Sequence, residues 1–208
     1  MVSYPIDFPT TLTVSSLRIT PLNAIARNMS NFTYAEQVYN FRGEAWSIEG
    51  TLPLMNRDTA EAYNSMIFKL KGRFGTFLFP LPTSISQARG SWGGSPQVDG
   101  NGQTGDSLDI KNLPTSVTGV IKNGDYINLG SGDSTRLYRI QDDADSDGSG
   151  KATVNIWPSL RSSPTDGDSV AYQNVKLLCR LTDNTPIDID VNRHYFISLS
   201  AMEALNGS

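Results

Sequence analysis

The sequence predicts a mainly β protein, with a β-sandwich or barrel as the main domain, one short α-helix, and an inserted small antiparallel β-barrel module. Residues 125–129, 136–140 and 152–157 each alternate apolar and polar side chains, which is the pattern of a half-buried strand. Gly- and Asp-rich turns separate these runs without an intervening helix, so consecutive strands are expected to pair antiparallel. The composition agrees, because 18 Gly, 11 Pro and only 18% charged residues favour strands and turns.

The first fifty residues predict an extended N-terminal segment followed by three strands. Residues 1–9 are punctuated by prolines and form either an arm laid on a neighbour or a first edge strand. Residues 12–20 alternate as a strand, and within the ambiguous stretch 23–39, residues 30–34 indicate a turn and a second strand. Residues 44–52 alternate cleanly. The core-facing side chains of this third strand are expected to be Trp46, Ile48 and Leu52.

One amphipathic helix is predicted over residues 58–71. Asn56 or Asp58 can cap its N-terminus, and Glu61 stands three positions after Asp58, the spacing of a capping box. Gly72 would supply the left-handed residue that ends the helix. The apolar face comprises Ala62, Met66 and Leu70, with Tyr63 and Ile67 beside them.

The remaining elements predict a discontinuous main domain. A strand with alternating aromatic residues is expected at 73–79, and further strands are expected at 175–181, 187–191 and 195–199. Residues 84–118 are polar and glycine-dense, a composition unsuited to a continuous buried face. We therefore expect residues 1–82 with 172–208 to form the main domain and residues 83–171 to be an insertion at a loop tip.

Composition and charge argue against several classes of function. The net charge of −4 argues against general binding to nucleic acid, which requires clustered Lys and Arg. No apolar run approaches the roughly 20 residues of a membrane-spanning helix, so no membrane insertion is expected. The first residues lack a secretory signal and Cys179 is the only cysteine, so synthesis in the cytoplasm is expected.

An acidic loop resembles half of a calcium site. Asp143, Asp145, Asp147 and Gly148 match the first six positions of an EF-hand loop, where a strong Ca²⁺ site would have its bidentate Glu at position 12. That position is Val154, and strands rather than helices flank the loop. The favoured interpretation is an acidic hairpin turn, with a weak Ca²⁺ site completed from another loop as the alternative.

The sequence predicts no enzyme and no cofactor. His194 is the single histidine and is expected at a strand end, while Cys179 lies in an apolar strand with no obvious basic partner. No nucleophile elbow or phosphate-binding loop is present, and pairs such as Asp188 and Asp190 alternate with apolar residues as on a solvated strand face.

Aromatic residues are the candidates for contact with partners or saccharides. Trp92 lies in a Gly- and Ser-rich loop, which favours an exposed ring that can bind a partner or stack on a sugar. Trp157 ends an alternating strand and is expected in the core. Tyr4 and Phe8 lie in the extended N-terminal segment, so they are candidates for contact with a neighbouring chain.

Two stretches carry a resemblance to bacteriophage tail proteins. The turns and strands of residues 119–170, including Leu-Tyr-Arg-Ile at 137–140, Asp-Gly-Ser-Gly at 147–150 and Trp-Pro-Ser-Leu-Arg at 157–161, resemble a small β-barrel module of minor tail and tail-tip proteins of long-tailed phages. Residues 10–82, with a Trp-bearing strand, a short helix and Gly-Arg-Phe-Gly-Thr-Phe at 72–77, are similar to the ring-forming domain of phage distal tail proteins.

The resemblance implies a structural role in a virion. It implies a homo-oligomeric ring, hexameric or alternatively trimeric, that connects the tail tube protein to the tail hub and fibre proteins at the distal end of the tail. Two alternatives stay open: another minor tail component such as a hub or tail terminator, and a carbohydrate-binding adhesin module.

Overall fold

The computed structural model of the protein describes residues 2–9, 14–190 and 194–205, and its dominant features are two β-sheets. The mainly β class predicted from the sequence is confirmed, with 41% strand and 11% helix. In chain order the strands are β1 (Ile6–Asp7), β2 (Ser16–Met29), β3 (Glu36–Thr51), β4 (Phe77–Pro80), β5 (Gln97–Val98), β6 (Ser107–Lys111), β7 (Tyr126–Leu129), β8 (Arg136–Ile140), β9 (Ala152–Trp157), β10 (Lys176–Leu181), β11 (Asp188–Ile189), β12 (Tyr195–Phe196) and β13 (Ser198–Glu203).

The first sheet is mixed and has six strands in the order β1-β4-β10-β13-β3-β2. Only the β1–β4 pair is parallel, and the other neighbours are antiparallel. β13 is central because it pairs with β10 on one side and with residues 47–51 of β3 on the other. Its alternating side chains bury Leu199, Ala201 and Glu203. β11 and β12 form a separate two-stranded sheet.

Two helices accompany the sheets, α1 (Arg57–Leu70) and the single turn α2 (Thr83–Ser86). The first N-cap alternative is confirmed, because the Asn56 side chain accepts a hydrogen bond from the Thr59 amide at 3.1 Å. The helix ends at Leu70, one residue earlier than predicted, and its C-cap Lys71 adopts the left-handed conformation with φ of 54°, as does the predicted Gly72 with φ of 66°. The predicted apolar face was wrong at Ala62, which is exposed; Ala60 is buried in its place.

Several strand boundaries differ from the sequence prediction. The strand expected at 73–79 begins only at Phe77, because residues 71–74 form the turn after α1. Residues 12 and 13 of the strand predicted at 12–20 lie outside the described residues, and β2 continues well beyond residue 20. The turn predicted at 30–34 is confirmed between β2 and β3. Of the strand predicted at 187–191, residue 191 lies outside the described residues.

The second sheet is a curled antiparallel half-barrel with the order β5-β6-β9-β8-β7. Its three successive strands β7, β8 and β9 form the predicted meander. Residues 168–171 join the two open edges. The Val98 amide donates to the Asp168 carbonyl at 2.9 Å, and the Asn128 amide donates to the Ala171 carbonyl at 2.8 Å. The half-barrel is therefore closed by a segment that leads directly into the first sheet.

The two sheets come from different parts of the chain. Strands of the first sheet lie within residues 6–80 and 176–203, and strands of the second within residues 97–157. The chain enters and leaves the second sheet side by side, since Gln87 and Gln173 form an antiparallel bridge. The two-domain division stays a prediction, because Leu137 of the second sheet belongs to the hydrophobic core of the first.

Trp46 and a buried ion pair hold the sheets together. The Trp46 indole N–H donates to the Leu137 carbonyl at 3.0 Å, and its ring packs edge-on against Trp157 with centroids 4.4 Å apart. Glu203 Oε2 accepts from the Trp46 amide at 3.2 Å and from Arg161 Nη2 at 2.8 Å. Both charged side chains are withdrawn from water, so this pair links β3, β13 and the residues after β9.

Removing the positive partner of this pair should be costly. We expect Arg161→Met to lower the free energy of unfolding by about 3–5 kcal/mol, because it leaves the Glu203 carboxylate buried without a counter-charge. The double variant Arg161→Met/Glu203→Leu should recover most of the loss, since it removes the charge as well as its partner. Urea denaturation measures both, with Arg18→Met as the control because its ion pair with Glu49 is exposed. Equal losses in Arg161→Met and Arg18→Met would contradict this account.

The buried thiol of Cys179 should report on unfolding. Burial, together with the nearby Glu203 carboxylate, raises the pKa of the Cys179 thiol well above its ordinary value. We therefore expect no alkylation of the folded protein by iodoacetamide between pH 7 and pH 9, and rapid alkylation in 6 M guanidinium. Mass spectrometry distinguishes the two states. Alkylation of the folded protein that accelerates tenfold per pH unit would show an accessible thiol.

Candidate functional site

Strands β2 and β3 extend beyond the first sheet as a two-stranded hairpin arm, which we define as residues 21–43. β13 pairs only with residues 47–51 of β3, so the rest of the hairpin has no third strand beside it. Every residue of the arm except Ser30 is exposed. At about 3.3 Å per residue, the seven residues from Asn23 to Met29 alone extend about 23 Å.

The sequence forms this arm through a tight turn and a bulge. At the tip, the Ser30 amide donates to the Ala35 carbonyl at 2.9 Å, and Tyr34 adopts a positive φ of 56°. Nearer the base, the pairing shifts register between Asn23 and Ile25. Opposite this bulge, Arg42 has a positive φ of 59° and donates its amide to the Asn40 side chain at 2.7 Å. The bulge increases the local twist of the two strands.

Apolar side chains lie on both faces and at the tip of the arm. The pairing places Tyr39 opposite Ala26, with Phe41 on the same face, and the two aromatic rings contact edge-on with centroids 4.7 Å apart. At the tip, Phe32 is 97% exposed and Tyr34 is 74% exposed. The opposite face carries Ile25, Val38 and Met29. A two-stranded ribbon with apolar residues on both faces is unstable alone in water, and such a surface is typical of a protein–protein interface.

A second apolar surface lies near the other edge of the first sheet. Phe68 projects from α1 and Phe74 precedes β4, and both rings are exposed. Phe74 contacts the ring of Tyr4 edge-on at 5.9 Å. Because β4 stands next to one edge of the six-stranded sheet and β2 is the opposite edge, this helix-side patch and the hairpin arm belong to opposite sides of the sheet.

The prediction that Trp92 is exposed was wrong. Trp92 is 1% exposed, its ring stacks on Tyr172 at 5.3 Å, and its indole N–H donates to Asp125 Oδ2 at 3.2 Å. Asp125 is itself buried and also accepts from the amides of Arg89 and Gly90. The glycine-rich loop thus folds over its tryptophan because one buried carboxylate satisfies its donors. Trp92 has no free face for a partner or a sugar.

The two N-terminal candidates contact the chain's own core. Phe8 is 3% exposed and packs against Tyr63, Phe77 and Phe79, so its prediction as a partner contact was wrong. Tyr4 is half-buried, and its hydroxyl donates to the Lys69 carbonyl at 2.8 Å.

The three carboxylates of the acidic loop accept hydrogen bonds from donors of nearby turns. The amide of Asn123 and the ammonium of Lys122 donate to Asp143, and both lower its pKa. Asp147 accepts from the amides of Ser149 and Lys151, which lower its pKa. The third loop carboxylate, Asp145, accepts from the Gly119 amide at 2.6 Å. Within residues 2–9, 14–190 and 194–205, no three His, Cys, Asp or Glu side chains are grouped to hold a metal ion.

The two residues considered for catalysis lie apart. Cys179 is buried in β10, while His194 stands just before β12 with its Nδ1 3.4 Å from Asp190 Oδ2. Sequence reasoning predicted the turn at residues 30–34 but not that the strands on either side of it project beyond the sheet as an arm, although one signal for the arm was present. Residues 29–35 contain no charge, and aromatic residues recur on both sides of the turn at 32, 34, 39 and 41.

Comparison with known proteins does not assign a family. No protein-family model matches the chain, and a search of curated proteins finds no significant sequence match. Among the helices of the described residues, none is long and apolar enough to cross a bilayer.

The arm should be dispensable for the stability of the single chain. We expect the triple variant Phe32→Ser/Tyr39→Ser/Phe41→Ser to unfold within about 1 kcal/mol of the unmodified protein at low micromolar concentration, because these rings are 61–97% exposed. Phe8→Ala should cost about 3–5 kcal/mol, because it empties a space in the core. Guanidinium denaturation followed by fluorescence measures both. A large loss in the triple variant would show that the arm folds back on its own chain.

Proposed function

We propose that the protein is a structural component of a phage virion that assembles through its hairpin arm into a ring at the distal end of the tail. The ring, with six copies, would connect the tail tube to the tail-tip hub and fibres. The hairpin arm is the observation that carries the assembly: its exposed aromatic residues require a covering surface. The resemblance of residues 10–82 and 119–170 to tail proteins supports the place in the virion.

The two apolar surfaces favour a head-to-tail contact between copies. The arm and the helix-side patch with Phe68 and Phe74 lie on opposite sides of the first sheet. A contact between two different surfaces of one chain repeats from copy to copy and closes into a ring when the rotation permits. A self-complementary contact would instead stop at a dimer.

The edge of the first sheet formed by β2 offers a second contact between copies. β2 is the outer strand of the first sheet and pairs only with β3, so one side of its backbone is unpaired among the described residues. A neighbouring strand can add to such an edge through main-chain hydrogen bonds. Apolar contacts of the arm and backbone pairing along β2 would then act together in one interface.

Native mass measurement tests the ring. We expect light scattering to give about 136 kDa, six times the 22.7 kDa of one chain, over a concentration series from about 1 to 100 μM. Electron micrographs should show a ring with a central opening. The variants Phe32→Ser/Tyr39→Ser/Phe41→Ser and Phe74→Ser should each reduce the mass to that of a monomer.

The control is Leu205→Ser, which changes an exposed apolar side chain outside both surfaces and should keep the assembly. A monomer at every concentration would sink the proposed ring. A dimer would contradict the head-to-tail contact, and an assembly that survives the loss of the arm's aromatic rings would show that a different surface joins the copies.

A further inference from the structure

A groove lies where the base of the hairpin meets the curled sheet. Its volume is about 700 Å³. One wall is formed by Ile19, Pro21 and Asn23 of β2, and the other by residues of the curled sheet and its turns, among them Asn123, Arg139 and Gln141. Junctions between packed sheets are common places for ligand sites, which combine apolar surface with a few polar groups.

Aromatic rings form the floor of the groove. Trp157 and Tyr126 line it and are both half-buried, and Trp46 lies beneath them with ring centroids 4.4 Å and 5.9 Å away. Trp46 is held by its own hydrogen bond to Leu137. The floor is therefore positioned by contacts within the chain itself. Flat apolar rings of this kind pack against the C–H faces of sugar rings.

Amide and guanidinium groups surround the aromatic floor. The side-chain amides of Asn23, Asn123 and Gln141 lie at the rim, and Gln141 Nε2 is fixed by donating to the Ile156 carbonyl at 3.0 Å. Arg139 contacts the Tyr126 hydroxyl. Such planar groups offer paired donors and acceptors, which suit the closely spaced hydroxyls of a saccharide.

A second hollow of about 650 Å³ adjoins the groove and is lined by several positive charges. Asn123 and Arg139 line both hollows, and Arg89 and Lys122 line the second. A Cβ placed on Gly124 would lie 3.3 Å from Arg139 Nη2 and 3.4 Å from Arg89 Nη2, so the two guanidinium groups approach each other.

The positive charge in this hollow is only partly neutralised. Asp125 and Asp143 face Arg89 and Lys122, whereas Arg139 has no carboxylate within 4 Å among the described residues. This cluster stands out because residues 90–170 carry eleven Asp, no Glu and only six Lys or Arg. Converging guanidinium groups of this kind bind carboxylate or phosphate.

We propose that this groove binds an acidic saccharide. One sugar ring packs over Trp157 and Tyr126, the rim amides bind its hydroxyls, and an attached carboxylate or phosphate reaches Arg139 and Arg89. The uncharged part of the ligand thus lies on the aromatic floor and the charged part in the adjoining hollow. The site does not depend on the proposed ring, because each residue named belongs to one chain.

Paired probes test the site. Isothermal titration compares 3′-sialyllactose with lactose, trigalacturonic acid with its methyl ester, and mannose 6-phosphate with mannose. Trigalacturonic acid and its methyl ester differ only at the carboxyl groups, whereas sialyllactose and mannose 6-phosphate carry an acidic residue or a phosphate that the neutral partner lacks. We expect at least one acidic member to bind with a Kd below about 1 mM, and its neutral counterpart to bind at least about tenfold more weakly.

Variants locate the binding to the groove. Arg139→Gln should weaken the acidic ligand at least about tenfold and leave the neutral counterpart unchanged, and Trp157→Phe should weaken both. Arg57→Gln is the matched control, because this exposed cation lies on α1 outside the groove, and it should bind as the unmodified protein does. Circular dichroism confirms that each variant is folded.

Three outcomes would overturn the proposal. The first is the absence of binding for all acidic saccharides, and the second is equal affinity within every pair. The third is a change of native mass in Arg139→Gln without any saccharide binding by the unmodified protein, which would make the groove a contact between copies. If the unmodified protein is a monomer and still binds the acidic saccharide, the proposed ring is rejected and the proposed binding site stands.

Discussion

The packing of Trp46 between the two sheets is the contact on which the rest of the structure depends. Its ring separates the first sheet from the aromatic residues of the second, while its backbone amide and the Arg161 guanidinium share one carboxylate oxygen of Glu203. The ring of Trp46 also packs against Trp157 and Tyr126 on the floor of the groove, and Trp46 lies in β3 three residues after the end of the hairpin arm. One side chain therefore sets the positions of the sheets, the groove and the arm.

Local sequence patterns predicted the elements whose burial is one-sided. Alternation placed Trp46, Ile48 and Leu52 in the core correctly, because β3 has one face toward the core at these positions. The meander of β7, β8 and β9 was predictable because the segments between its strands are rich in Gly and Asp, which are typical of turns. Asn56 was correctly offered, beside Asp58, as the N-cap of α1, because a capping hydrogen bond reaches only three residues along the chain.

Features that depend on distant residues could not be predicted in this way. Trp92 is buried because Asp125, thirty-three residues later, accepts its indole hydrogen. The groove joins β2 to residues about a hundred positions away, so no local pattern marks it. The projection of the arm beyond the sheet was missed for a different reason: apolar residues on both of its faces remove the alternation that identifies a strand with one buried side. The surfaces proposed for function are thus the ones that local patterns do not reveal.

Because β13 is the central strand of the first sheet, its position near the C-terminus determines the order in which the chain can fold during synthesis. β13 joins β10 to β3, yet it is synthesised about 150 residues after β3 ends. The hairpin and the curled sheet, whose closing segment precedes β10, can form while the two halves of the first sheet are still separate. Glu203 is synthesised after all of these elements, and only then can its carboxylate accept the hydrogen bond of the Trp46 amide. A nascent chain therefore displays its apolar arm before β13 joins β3 to β10 and to the strands beyond it.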